Sequence, residues 1–173
     1  TLLGGGDAFG DDDSIFSGFA LSHDGATAFI GDSNVVGTNR VGIVSVSATD
    51  IAPLAVITTN ITDPSGIAAS PFGDVAIVTS SQPPGEGIYV LDKGGTNGAW
   101  RNRGELTYMG AASQLPGDVV TIDRGMLEGS VIVSELSKVR RLQFHADGSV
   151  TDTGSLAFGS GLEEIAGAIG VTP

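Results

Sequence analysis

Small apolar residues, a tight turn, a buried run and a polar stop follow one another in the same order three times along this chain. The copies begin at Phe19-Ala20-Leu21-Ser22-His23-Asp24-Gly25, Ile67-Ala68-Ala69-Ser70-Pro71-Phe72-Gly73 and Val119-Val120-Thr121-Ile122-Asp123-Arg124-Gly125. A fourth, Ala168-Ile169-Gly170-Val171-Thr172-Pro173, stops at the turn. Aligning Ser22, Ser70, Ile122 and Thr172 gives steps of 48, 52 and 50 residues. A period of this size is the signature of a radial repeat with one four-stranded sheet per unit.

The first unit, 15–59, predicts strands over 15–22, 26–30, 41–47 and 53–59. His23-Asp24-Gly25 serves as the first hairpin turn, since Asp-Gly takes positive φ readily. Pro53 opens the fourth strand, where an outer edge tolerates a missing donor. The second unit, 65–110, predicts strands over 65–70, 74–80, 87–92 and 104–110. The third, 116–158, predicts them over 118–123, 130–134, 138–145 and 150–158, with His145-Ala146-Asp147-Gly148 as another Asp-Gly hairpin. Helix-period spacing is nearly absent, and Leu162–Ala166 reads as a helical turn or a loop. The expected fold is therefore all-β, a propeller fragment of about three complete blades. Partial strands at 1–3 and 166–173 are expected to belong to blades outside the chain. Three blades do not close a ring, so a companion segment or a second copy is expected to complete it, pairing at the open strand edges.

Composition narrows the chemistry. Twenty acidic residues against eight basic ones give a net charge of −12, the wrong sign for a phosphate-binding surface. Nucleic acid and anionic membranes are therefore poor partners. The acidity fits an extracellular or periplasmic setting. With no cysteine in 173 residues, disulfides, thiolate zinc sites and cysteine nucleophiles are excluded. No apolar run has the roughly 18 residues of a membrane helix.

The second and third strands of each unit carry a family resemblance. Ala28-Phe29-Ile30-Gly31-Asp32-Ser33 is followed by Gly42-Ile43-Val44-Ser45-Val46, and Val75-Ala76-Ile77-Val78-Thr79-Ser80 by Gly87-Ile88-Tyr89-Val90-Leu91-Asp92. The third instance is Val131-Ile132-Val133-Ser134-Glu135-Leu136-Ser137-Lys138-Val139. With the Ser-His-Asp-Gly turn, these segments resemble the YVTN-type bacterial propeller repeat and the lactonase-like seven-bladed propellers. The resemblance implies half of a seven-bladed ring. Ser134-Glu135-Leu136 is similar to the Asn-Glu-Leu of lactonase-like relatives, in which the Glu faces the central channel.

Candidate site residues follow from that resemblance and from clustering. Glu135, with Arg140 or Arg141, forms the candidate catalytic set of a lactone hydrolase. For the Arg pair the simpler expectation is one structural ion pair with a neighbouring blade's Asp and one solvent-facing side chain. Asp7, Asp11, Asp12 and Asp13 in a Gly-rich loop are candidate calcium ligands, since hard cations want oxygen donors, although a solvated loop accounts for them more simply. His23 and His145 lie in turns of different blades and are not expected to form one site. Trp100 is expected to pack between blades or to contact a partner. No nucleophile elbow, phosphate loop or zinc-helix motif is present. The leading expectation is a non-catalytic binding scaffold presenting the loops 31–40, 81–87 and 124–129. A lactonase-like hydrolase and a calcium-dependent extracellular structural protein are the alternatives.

Overall fold

Strand alternation builds three separate four-stranded antiparallel sheets in the computed structural model, which describes residues 16–33, 39–58 and 60–157. The first sheet runs β1 (Phe16–Leu21), β2 (Thr27–Asp32), β3 (Arg40–Val46) and β4 (Ile51–Ile57). The second runs β5 (Pro64–Ala69), β6 (Val75–Ser80), β7 (Gly87–Asp92) and β8 (Arg101–Glu105). The third runs β9 (Val119–Ile122), β10 (Ser130–Glu135), β11 (Lys138–Phe144) and β12 (Val150–Ala157). In each, spatial order follows chain order, and β5 packs against both β1 and β9. These are three blades of a β-propeller, with the first strand of each on the inside. The described residues contain no α-helix.

Two apolar layers hold the blades face to face. Phe29, Val41, Ile43 and Ile57 of the first blade meet Ile67, Ala76, Val78 and Leu91 of the second. From the opposite face of the second blade, Val75, Ile77, Ile88 and Val90 meet Val131, Val133, Leu142 and Phe144 of the third. Successive side chains of a strand point to opposite faces, so β6, sandwiched between two blades, is buried at all six positions. That explains why its first four residues, Val75 to Val78, are all apolar.

The seams are also latched by backbone. Ser17 Oγ donates to Pro64 O and Ser65 Oγ donates to Pro116 O, the same contact one repeat apart. Thr79 Oγ1 accepts from Gly66 N at 2.7 Å and donates to Gly117 O at 2.6 Å. The first blade's other face has no blade against it among the described residues: Phe19, Leu21 and Val56 there are 62%, 49% and 46% exposed.

Most strand boundaries fall within two residues of the sequence expectation, and the outer strands of the first two blades depart from it for a physical reason. The outer strand of the second blade is Arg101–Glu105, not 104–110. Its polar residues pair with β7, and Gly104 takes φ +122 at a bulge between Val90 and Leu91. Pro53 lies inside β4 and not at its start, opposite Val44 beside another bulge, which accommodates the missing N–H on this outer strand. Residues 1–15 and 158–173 lie outside the described part. With them go the Asp7, Asp11, Asp12 and Asp13 loop, the terminal partial strands and the 162–166 turn.

Candidate active site

The three inner strands end at one rim, because each is followed by the hairpin that returns to the second strand. Ser22 N–H donates to Thr27 O and Ser70 N–H to Val75 O, both at 2.8 Å. In the third blade Gly129 N–H donates to Ile122 O at 2.7 Å, closing a longer turn around a short 3₁₀ segment, Gly125–Leu127. The equivalent positions of three blades are thereby presented side by side.

A crevice of about 270 Å³ opens at this rim, lined by Leu21, Ser22, His23, Ser70, Thr121 and Asp123 among others. A second, of about 300 Å³, continues outward between the first two blades, lined by Asp24, Phe29, Phe72, Asp74 and Trp100. Ser22, His23, Ala69, Ser70 and Pro71 line both. The two form one groove, and His23 stands where they join. Small-molecule sites combine such apolar walls with a few convergent polar groups.

Local hydrogen bonds fix the polar members. Ser22 Oγ donates to Asp24 Oδ1 at 2.7 Å and accepts from Thr27 N, and Ala26 N donates to the same carboxylate at 3.0 Å. The Ser22 hydroxyl and the Ala26 amide hold the Asp24 carboxyl below its ordinary value, so it is an anion at neutral pH. Ser70 Oγ accepts from Phe72 N. Both serine hydroxyls are thus turn-builders. His23 and Asp123, both exposed, are the side chains of this crevice best suited to move a proton. At the outer end Trp100, 7% exposed, meets Phe29 edge to face with ring centres 5.0 Å apart. Lys93 lies 5.8 Å over its ring and pairs with Asp74 at 3.4 Å. Trp100 Nε1 has no hydrogen-bond partner among the described residues.

Glu135 and Arg140 come together at the opposite end of the third blade. Arg140 Nε donates to Glu135 Oε1 at 2.5 Å, and Nη1 donates to Asp152 Oδ2. Arg140 Nη2 donates to Ala111 O at 2.9 Å, and Tyr108 lies under the guanidinium. Ser113 Oγ donates to Glu135 Oε1 at 2.8 Å, and Lys138 pairs with Oε2 at 2.9 Å. Both side chains are fully buried. The cluster joins β10, β11 and β12 to the linker that enters the third blade, and offers no free face to a substrate among the described residues. Both carboxylates that meet Arg140, Glu135 and Asp152, come from its own blade, and not from a neighbouring one as expected. Arg141, one position on and on the opposite face, donates to Ser130 Oγ at 3.0 Å.

His145 sits at the same end as His23, on the outer hairpin of the third blade, where Nε2 contacts Thr151 Oγ1 at 2.8 Å. Among the described residues no three His, Asp or Glu side chains gather as metal ligands. No local motif marks His23, whose crevice partner Asp123 comes from another blade. The alignment of Ser22, Ser70 and Ile122 already put residues 22–24 and 122–124 on one rim.

No family model matches the chain, and no curated protein matches it. Solved structures do resemble it. A periplasmic gluconolactonase from Pseudomonas aeruginosa superposes with a TM-score of 0.63 at 13% identity, over 90% of this chain and 46% of that one. A Bacteroides fragilis protein provisionally assigned as a 6-phosphogluconolactonase gives 0.58 at 18%, over 81% and 38%. Kuenenia stuttgartiensis hydrazine synthase gives 0.58 at 18%, over 83% and 37%. This chain therefore spans less than half the length of each, and at such identities the likeness shows the fold alone. The expectation of a non-catalytic scaffold is nevertheless corrected by these neighbours: two of the three carry lactonase names, which sets the hydrolase alternative ahead of it.

Proposed function

We propose that the protein is a lactonase-like propeller hydrolase whose reaction takes place in the rim groove at His23. The observation that carries this is the meeting of His23, Asp123 and Thr121, from two different blades, on one crevice that continues outward between the first two blades. A lactone carbonyl bound there is attacked by water while His23 takes a proton from it. The tetrahedral oxyanion collapses by breaking the ring C–O bond, and the departing alkoxide takes the proton back from the imidazolium. The product is a hydroxy acid, which loses its carboxylic proton to solvent. Asp24, the next residue along, interacts with His23 through its charge and favours the transient imidazolium, while Asp123 lines the same crevice.

The lactonase names of two structural neighbours support this reading. A YVTN-type or lactonase-like origin and a periplasmic setting belong to the same proposal. So does completion of the ring by further blades, from a companion segment or a second copy, over the apolar face at Phe19, Leu21 and Val56.

The test is base uptake in a pH-stat with a panel of five- and six-membered lactones. Saturable hydrolysis of any member above the spontaneous rate is the expected result. A flat response across the panel ends the proposal.

A further inference from the structure

We infer that the free face of the third blade is a seam for a further blade carrying a carboxylate opposite Arg141, and that Arg141 keeps a second copy of this chain out of that place. The inference rests on completion of the ring, not on the hydrolysis. Its ground is strand register. Phe29 pairs with Ile43 and Ile43 with Ala55 in the first blade, as Ile77, Val90 and Gly104 do in the second. Ile132, Arg141 and Gly154 form the same row in the third. In every blade a bulge directly follows the middle residue, which fixes the equivalence. Ile43 and Val90 are core residues of the two closed seams, whereas Arg141 is exposed. A neighbouring row agrees. Ile57 pairs with Val41, Leu106 N–H donates to Ile88 O, and Leu156 pairs with Val139. Ile57 and Leu106 are 8% and 7% exposed, but Leu156 is 68% exposed.

Charge decides what can cover this face. Val120, Ile132, Val139 and Leu156 lie on the same side of the sheet as Arg141 and suit another apolar layer. The Arg141 guanidinium donates to Ser130 Oγ at 3.0 and 3.2 Å, and no carboxylate among the described residues pairs with it. An apolar cover would bury that charge unpaired, which is costly. The free face of the first blade is such a cover. From Phe19 to Val56 and from Leu21 to Pro53, its two central rows hold no charged residue. A second copy joined head to tail would press Arg141 onto these rows. A blade with an Asp or Glu at the contact would instead form a charge-assisted hydrogen bond. The blade that fits therefore has a different sequence from the first one here.

The test makes a second copy acceptable in two ways and reads self-association by sedimentation equilibrium. Arg141→Leu removes the charge. Ile30→Glu supplies a carboxylate on the first blade's free face, where Ile30 is the equivalent of Val133 in the closed seam. The inference expects wild type to stay a single chain. Each single variant should self-associate at least about 100-fold more tightly, the gain from no longer burying an unpaired charge. Combining the two leaves the new carboxylate unpaired, so the double variant should return to a single chain. Melting temperatures confirm folding, and Phe19→Glu, at a more exposed position of the same face, replaces Ile30→Glu if that protein does not fold. Head-to-tail association of wild type would overturn the inference yet leave ring completion standing. A single chain in every variant overturns both. Association of the double variant as tight as that of the single ones also overturns the role of Arg141.

Discussion

The guanidinium carbon of Arg140 lies 4.8 Å from the centre of the Tyr108 ring. A cation on β11 of the third blade is thus seated on an aromatic face from the linker that leaves the second. Glu135 and Asp152 hold the same guanidinium from its own blade, so the third blade and its entry segment are fastened at one buried point.

Removing that point is expected to be severe. Arg140→Met leaves buried Asp152 without its cation and Glu135 with Lys138 alone, and breaking a buried pair costs about 3–5 kcal/mol. Urea unfolding of the variant measures it. A loss below about 1 kcal/mol would mean that the cluster does not fasten the linker.

The two tyrosines of the chain supply a pH prediction. Burial, opposed in part by the hydrogen bond that Ile88 N–H donates to its oxygen, pushes the Tyr108 phenol well above the ordinary 10. Burial, with the Glu105 charge adding to it, raises Tyr89 also. A raised folded value means that the folded state favours the protonated phenol. The resulting stability is fully present below pH 10 and is lost as pH rises toward the folded values. Ultraviolet titration should show neither ring ionising near pH 10 in the folded protein, with both ionising on alkaline unfolding. Normal titration of Tyr108 would contradict its burial.

Gly66 tests the seam between the second and third blades. A Cβ placed on it would lie 2.6 Å from Gly117 O and 3.0 Å from Thr79 Oγ1. Gly66→Ala therefore pushes the 117–119 backbone away and weakens the Thr79 bridge. A loss of about 1–3 kcal/mol is expected, as for other overpacked sites. Thermal melting checks it, and an unchanged melting temperature would contradict the close approach.

Much of this architecture was readable because repeats fix relative position. Ser22, Ser70 and Ile122 share a rim, and the stretch 75–78 is apolar throughout because blades cover both its faces. Bulges were not readable. The stretch Arg101-Asn102-Arg103 lacks an apolar alternation, so β8 was expected three residues late, and Pro53 gave a misleading start for β4. The site was harder. The sequence offers Glu135 with Arg140 or Arg141, yet no periodicity says that Arg140 is the partner or that Asp152, Ser113 and the Ala111 carbonyl saturate the pair. His23, by contrast, is made interesting only by a neighbour about 100 residues away, Asp123, which the repeat alignment brings near and local sequence does not.

The most direct test of the hydrolase account is kcat for the best lactone in His23→Ala, measured beside wild type with both melting temperatures recorded. The account predicts a fall of roughly 10²–10⁴-fold, the usual worth of a general base, with little change in melting temperature because His23 is exposed. Undiminished turnover in a folded His23→Ala protein would contradict it.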